Sequence, residues 1–326
     1  MSSVLGLGNA LVDVLARLED DQLLSNLNFP KGSMQLVDEA IVQKVVNATS
    51  HLKKEMASGG SAANTIHGLA VLGVETGFIG KIGDDEFGQF FRDDMSRNNI
   101  RPHLIAGQNE SGRAYALISP DSERTFATFL GAAVELSGDD LAEHLFDGYA
   151  YFHIEGYLVQ NKPLVEKAIL LAKAKGLKVS IDLASFNVVE ENHEFLSRMV
   201  KDHVDIVFAN EEEAKAFTGK EGEEALMDLG AHAEIAVLKL GKNGSMIKRV
   251  DEVVTVGVIP AKSIDTTGAG DLYAAGFLYG LIQKLDLDKC GKIGSILSGH
   301  VIEVIGPKMD ESIWKSIREK IELELN

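Results

Sequence analysis

The segment Asp265-Thr266-Thr267-Gly268-Ala269-Gly270-Asp271 runs straight into the apolar stretch Leu272–Leu281. Its glycines let the chain bend without Cβ clashes and let backbone N–H groups converge. Where a helix then begins, unpaired N–H groups and the positive end of the helix dipole make an anion site. Asp271 sits at that helix start. It could complement the dipole as a cap, or it could take the proton of a hydroxyl attacking a bound phosphate. A second loop, Gly59-Gly60-Ser61-Ala62-Ala63-Asn64, offers glycines that a ligand can approach closely and an amide that both donates and accepts. Read blandly, Ser61 is an N-cap and Asn64 an incidental amide. Gly80-Lys81-Ile82-Gly83-Asp84-Asp85 with Gly88 is a tight strand-to-helix loop, and Lys81 reads as a solvated surface lysine.

These loops need elements to hold them. Strands are expected over Val4–Gly8, Val74–Ile82, Tyr149–Ile154, Lys178–Ile181, Asp205–Phe208 and Ile235–Leu240. Helices are expected over Asp38–Ala48, from Ser61 to Gly73, and over Glu86–Asn98, Lys162–Lys175, Glu191–Val200, Glu211–Phe217, Asp271–Lys284, Leu287–Val304 and Glu311–Glu324. Strands alternating with helices predict a parallel sheet wound by right-handed crossovers. Apolar β-branched runs such as Ile206-Val207-Phe208 fit strands covered on both faces. Residues 103–131 change character: Leu104–Ala106, Arg113–Ser119 and Thr125–Phe129, with a turn at 120–123, read as an antiparallel meander forming a separate layer. Ala274, Ala275, Gly276 and Gly280 predict a closely packed, buried central helix.

Ligands of an open parallel sheet bind beyond the carboxyl ends of its strands. There the sequence places Asn9 and Asp13, then Glu155 and Gly156, Asp182 and Asn187, Asn210 and Glu213, and finally Gly241 and Gly244. Each has an ordinary reading as a loop starter or cap, and Glu211-Glu212-Glu213 alone reads as a solvated first helical turn. Together they would point into one crevice.

Composition narrows the class. The chain has 326 residues, with 32 Lys+Arg against 49 Asp+Glu, a net charge of −17. That balance argues against general nucleic-acid binding and against an anionic membrane surface. At 45% hydrophobic residues the chain is globular rather than disordered. A single cysteine, Cys290, rules out a disulfide scaffold, and with no export signal a cytoplasmic location is expected. Cys290 itself reads as a small buried residue. A Walker A loop, a G-x-S-x-G elbow and an H-E-x-x-H pair are absent, and Gly6-Leu7-Gly8 lacks the third glycine of a dinucleotide fingerprint. Scattered histidines argue against a zinc site.

The two glycine-rich segments, 59–88 and 265–278, resemble the two signatures of the ribokinase (PfkB) family of sugar and nucleoside kinases, and the order of the parts agrees over nearly the whole chain. The resemblance implies an α/β, ribokinase-like three-layer αβα sandwich with a parallel central sheet. It implies one kinase domain over 1–326, with a small β-sheet lid drawn from about 11–35 and 103–131. It makes Asp271 the catalytic base, with Gly268, Ala269 and Gly270 as the anion hole for the transferred phosphoryl group. Asn210 and Glu213 match the N-x-x-E motif that organises Mg²⁺ through its water shell. Asn187, Lys239, Gly241 and Gly244 match nucleotide-contacting positions. Asp13, Gly59, Gly60, Asn64 and Glu155 match groups near the sugar. Asp265 and Thr267 match a segment that holds a monovalent cation, such as K⁺, in several members.

ATP is thus the implied phosphoryl donor, and the acceptor is a primary hydroxyl of a small sugar or nucleoside. Arg124, after the lid turn, resembles a charged residue used near the phosphates; as a bare residue it reads equally as a surface arginine on a hairpin. Asn9-Ala10-Leu11-Val12-Asp13 and Gly59-Gly60-Ser61 are nearer to adenosine kinases than to ribokinase, which carries a lysine after its two glycines. An adenosine-like nucleoside is therefore favoured, with fructose, ribose and 2-keto-3-deoxygluconate as the sugar alternatives. The intact Asp271 and N-x-x-E pair speak against a non-catalytic ligand sensor. Either a monomer or a homodimer through the lid fits the family.

Overall fold

The structure is a computed structural model describing residues 3–121 and 123–325; the turn expected at 120–123 includes Ser122, which lies outside the described residues. The apolar β-branched runs form a nine-stranded sheet. From one edge to the other its strands are Glu252–Val256, Ser245–Arg249, Ile235–Lys239, Ile206–Asn210, Lys178–Asp182, Tyr151–Glu155, Val4–Leu7, Thr76–Ile82 and Ile100–Ala106. The strands from Ile235–Lys239 to Ile100–Ala106 pair in parallel. Ser245–Arg249 and Glu252–Val256 instead add an antiparallel edge that the sequence pattern did not show. Only Leu240–Gly244 separates the first of them from Ile235–Lys239. A parallel crossover needs a dozen residues or more, so the chain can only turn back.

Side chains alternate across the sheet with a period of two. Val4, Phe78, Phe208 and Val237 join one buried cluster with the helices Ser61–Val71, Ala269–Ile282, Leu287–Val301 and Glu311–Leu325. Leu5, Ile79, Val207 and Leu238 join a second cluster with Lys162–Ala174, His193–His203, Glu211–Thr218 and Gly222–His232. The result is the expected α/β sandwich with helices on both faces of the sheet. Three helices, Gln22–Leu27, Phe186–Glu191 and Gly222–His232, have no counterpart in the sequence expectation, and the helix expected over Glu191–Val200 is displaced to His193–His203.

A smaller sheet lies beside this body, in the order Met34–Leu36, Arg124–Phe129, Gly112–Ile118, Leu11–Arg17, Lys54–Gly59. Its membership corrects the boundaries drawn from sequence. Residues 103–106 belong to the strand Ile100–Ala106, which extends the large sheet beside Thr76–Ile82. The place they were expected to fill is taken by Lys54–Gly59, paired antiparallel to Leu11–Arg17 with Asp13 opposite Ala57. Lys-Glu-Met-Ala-Ser-Gly has no apolar alternation; its partner far along the chain makes it a strand.

The glycines and alanines of Ala269–Ile282 do pack it centrally. A Cβ on Gly276 would lie 2.7 Å from the Ile293 carbonyl oxygen, and one on Gly68 2.8 Å from the Ala275 Cβ. Phe277 sits edge-on to Phe208 of the sheet at 5.6 Å between ring centres. Cys290 is buried on the facing helix, and burial pushes its thiol up to about 12, so it is an inert core group. Truncation of a buried aromatic leaves a cavity, so Phe277→Ala is expected to cost about 3–5 kcal/mol in urea unfolding with an unchanged m value. A loss below about 1 kcal/mol would show that this helix is not the keystone of its layer.

Candidate active site

At the carboxyl ends of the strands a cavity of about 1020 Å³ opens between the large sheet and the smaller one. Among its lining residues are Asp13, Gly60, Asn64, Glu155, Asn187, Asn210, Glu213, Lys239, Thr267, Gly270 and Asp271. Of the strand-end residues expected in one crevice, Asn9, Asp13, Glu155, Asp182, Asn187, Asn210 and Glu213 line it, and Gly156 does not. Gly59, Gly241, Gly244, Asp265, Gly268 and Ala269 do not line it.

Asp271 is in the first turn of Ala269–Ile282, which begins after Gly268 at φ +77°. Its Oδ1 accepts from Ser61 Oγ at 2.7 Å and its Oδ2 from Asn64 Nδ2 at 2.9 Å. Ser61 is therefore not the N-cap: Gly60, at φ +99°, holds that place, and a Cβ there would lie 2.3 Å from the Asn9 carbonyl oxygen. Burial pushes the Asp271 carboxyl up to about 6, against the pull of Asn64 and Ser61. The Gly270 and Asp271 N–H groups, at a helix start, have no acceptor among the described residues. Lys239 reaches the same spot, its Nζ 3.2 Å from where a Gly270 Cβ would be. It is ion-paired with Asp182 at 2.6 Å. Burial works against its charge, but Asp182, Glu213 and Asp271 outweigh that and hold it as an ammonium. Asp182 was seen from sequence only as one strand-end acid; pairing across neighbouring strand ends makes it the anchor of Lys239.

Asn210 and Glu213 form a reciprocal capping box. Asn210 N and Nδ2 donate to Glu213 Oε2 and Oε1 at 2.8 and 2.7 Å, and Glu213 N donates to Asn210 Oδ1 at 2.9 Å. The solvated reading of Glu211-Glu212-Glu213 fails for Glu213, which is buried and pushed up to about 7 by burial and then by Asp182.

Glu155, expected near the sugar, lines the cavity and also ties it together. Its oxygens accept from Asn9 N at 2.9 Å, Asn9 Nδ2 at 2.6 Å and Ala62 N at 3.0 Å, which ties three segments together at the cavity floor. Burial raises it to about 7. Asp13 is the contrary case: no donor among the described residues reaches its carboxylate, and burial raises it to about 7. Gly59 makes room for it, since a Cβ there would lie 2.4 Å from the Asp13 carboxylate. Gly244, at φ +90°, is a glycine for the edge hairpin: a Cβ would meet the Val256 carbonyl at 2.0 Å. Lys81 is not solvated. It pairs with Asp140 at 3.0 Å and donates to the Glu135 carbonyl, away from the cavity.

Arg124 is neither a surface residue nor, in this structure, a cavity-lining one. It is buried and ion-paired with Asp265 at 2.5 Å. The other contacts of Asp265 are Thr267 N and Oγ1, at 3.1 and 2.8 Å, and Gly306 N at 2.8 Å. The upper cavity wall, which the sequence reading did not find, is apolar: Met34, Leu36, Phe126, Leu130 and Leu136.

A sequence profile of the pfkB family carbohydrate kinases matches residues 35–313. The chain belongs to this family. The pfkB chain resembles a 5-dehydro-2-deoxygluconokinase of Bacillus licheniformis, 30% identical over 261 residues that cover 75% of this chain and 80% of the relative. Its fold superposes on an adenosine kinase from Sinorhizobium meliloti with a TM-score of 0.86 and 34% identity, covering 98% and 99% of the two chains. A probable sugar kinase from Rhizobium etli gives 0.87 and 32%, with 98% of each chain covered. This pfkB protein is a sugar or nucleoside kinase, a phosphotransferase with an alcohol group as acceptor. No described helix is long and apolar enough to cross a membrane.

The donor set bears on the metals the family uses. No described cluster of three or more His, Cys, Asp or Glu could hold a metal ion. The oriented, hard-oxygen Glu213 carboxylate and the Asn210 amide at the cavity wall fit Mg²⁺ bound through its own water shell. The Asp265 carboxylate is a poor ligand for a monovalent cation, because the Arg124 guanidinium already neutralises it. Turnover is accordingly expected to change less than about twofold among K⁺, Na⁺ and a bulky organic cation at equal ionic strength. A several-fold stimulation by K⁺ would contradict this reading of Arg124.

Proposed function

We propose that this kinase transfers the γ-phosphoryl group of ATP to a primary hydroxyl of an adenosine-like nucleoside, with Asp271 as the general base. The observation that carries the proposal is the placement of the Asp271 carboxylate. Ser61 and Asn64 aim it, and it stands beside the free N–H groups of Gly270 and Asp271 and the Lys239 ammonium. The acceptor oxygen attacks the γ-phosphorus while Asp271 takes its proton, and the bond to the β-phosphate oxygen breaks to release ADP. The anion hole and Lys239 meet the charge on the transferring group without reorganisation. Gly268 and Ala269 contribute by setting the turn that leaves those N–H groups free. Asn210 and Glu213 would hold Mg²⁺ through its water shell, and the ion would neutralise charge on the triphosphate. Asn187 flanks the nucleotide side, and Asp13 and Asn64 hold the ribose hydroxyls. The smaller sheet acts as the lid. A single cysteine, Cys290, buried in the core, is in keeping with a proposed cytoplasmic location.

The apolar wall from the lid favours a nucleoside, because it offers a flat base a dry surface. The resemblance to a 5-dehydro-2-deoxygluconokinase supports a keto sugar acid as the second reading. A sugar acid is poorly matched: Lys239 is the only Lys or Arg among the lining residues, and the phosphates claim it. ADP release with Mg·ATP over adenosine, inosine, ribose, fructose and 2-keto-3-deoxygluconate decides between them. Adenosine is expected to give the highest kcat/KM, and a sugar exceeding it would overturn the nucleoside assignment.

Asp271→Asn is expected to lower kcat by at least about 100-fold with ATP binding retained. Near-normal turnover would remove Asp271 from the base role. An ionised Asp271 is needed to accept the proton, so the wild-type kcat should fall as the pH drops through about 6. A flat kcat down to pH 5 would contradict that role.

A further inference from the structure

The C-terminal segment Gly306-Pro307-Lys308 lies against the anion-binding loop. Gly306 N donates to Asp265 at 2.8 Å, and Pro307 packs on Gly268, where a Cβ would lie 2.6 Å from the proline's own. From this anchored backbone the Lys308 side chain runs inward. Its Nζ is buried and has no hydrogen-bond partner among the described residues. An unpaired buried ammonium is costly, and a methionine would fill the same space without that cost. A fold does not need such a group for stability, so its environment must explain it.

Three carboxylates act on Lys308: Asp94, then Asp13, then Asp271. Asp94 already has partners, since its Oδ2 accepts from Ser58 N at 3.2 Å and Ser58 Oγ at 2.6 Å. Asp271 has Ser61 and Asn64. Asp13 has no donor. His67 also faces Lys308; burial and then Lys308 keep its imidazole neutral, and its Nδ1 has no partner. Against the burial that disfavours its charge, Asp13 has Lys308 as the stronger counterweight and Arg124 as the weaker, while Asp271 opposes both. Lys308 does not line the cavity, so it cannot touch the acceptor directly.

We infer that Lys308 is a positioning residue for the acceptor: its buried ammonium, carried on the segment that packs against Gly268, favours the anionic form of Asp13 to which the acceptor's hydroxyls donate. This rests on the proposed reading of Asp13 as an acceptor-binding group. A neutral carboxylic acid would present one donor and weak acceptors to two hydroxyls that both seek to donate. With its countercharge in place, Asp13 titrates near 7, at the edge of the working range. Loss of the ammonium must push that titration higher, so fewer molecules carry the anion at neutral pH.

The test measures KM for the acceptor and for ATP between pH 6 and 9, with adenosine or whichever acceptor of the panel above is turned over fastest. Wild type is compared with Lys308→Met, Lys308→Gln, Lys308→Arg, Asp13→Asn and the double variant Asp13→Asn/Lys308→Met. The two neutral variants are expected to raise the acceptor KM about five- to tenfold at pH 7, an effect that shrinks towards pH 9, where Asp13 ionises unaided. The acid limb of kcat/KM should move up by about one pH unit. KM for ATP should stay within about twofold, the arginine should rescue, and the melting temperature should not fall. In the Asp13→Asn background Lys308→Met should do nothing more to the acceptor KM. An acceptor KM unchanged at pH 7, or raised equally at all pH values, overturns the inference; so does a parallel rise in the ATP KM. If Asp13→Asn itself leaves the acceptor KM unchanged, the reading of Asp13 fails. If Asp13→Asn raises it and the neutral Lys308 variants do not, only the role of Lys308 fails.

Discussion

One carboxylate imposes the main constraint on this molecule. Asp271 must be buried at the mouth of a helix, yet remain able to carry a charge and point one way. Two donors meet that demand, Ser61 and Asn64, more than 200 residues away in sequence. Bringing them together requires the helix Ser61–Val71 to lie along Ala269–Ile282. That explains the small residues where the two helices touch, such as Gly68 against Ala275. It also explains Gly60: the chain can enter the first helix beside Asn9 only in a conformation and at a distance that exclude a side chain.

The same crevice gathers acids whose burial lifts each of them: Asp13, Glu155 and Glu213 to about 7, Asp271 to about 6. Such a cluster would repel a phosphate chain, and it sits in a protein already carrying −17. The structure divides the labour. Glu155 is turned inward as a knot for Asn9 and Ala62. Glu213 is tied to Asn210. Asp182 is spent on Lys239, which in turn faces the helix start. What remains open to a ligand is Asp13 on one side and backbone N–H groups with Lys239 on the other. Polyanion handling is therefore local, built from dipoles and one ammonium, with no need for a basic surface.

Among the ties between the smaller sheet and the body of the protein, two bear on the site. The strand Val4–Leu7 leads directly into Leu11–Arg17, so the two sheets share one run of chain. On the other side Arg124 crosses to Asp265 at the root of the anion loop. An arginine buried with one nitrogen lacking a partner is an expensive link. The smaller sheet and the loop that begins the helix Ala269–Ile282 are thus mechanically joined.

The glycine loops were legible because their chemistry is local. Gly268-Ala269-Gly270 followed by an apolar helix can only be a helix start with free N–H groups, and the polar residues after each apolar run must lie at strand ends. The parallel sheet and its covered faces follow from the same periodicity. What depended on distant partners was not legible. Lys54–Gly59 is a strand only because Leu11–Arg17 lies beside it, and Ile100–Ala106 leaves the smaller sheet because Thr76–Ile82 offers a parallel edge. Glu213 looks solvated in a run of three glutamates until Asp182 and Lys239 close over it. Arg124 and Lys81 look like surface charges until Asp265 and Asp140 receive them. A residue's type and its neighbours in the chain determine what it can do locally; its burial and its countercharge come from segments hundreds of residues away, and only the folded chain decides them.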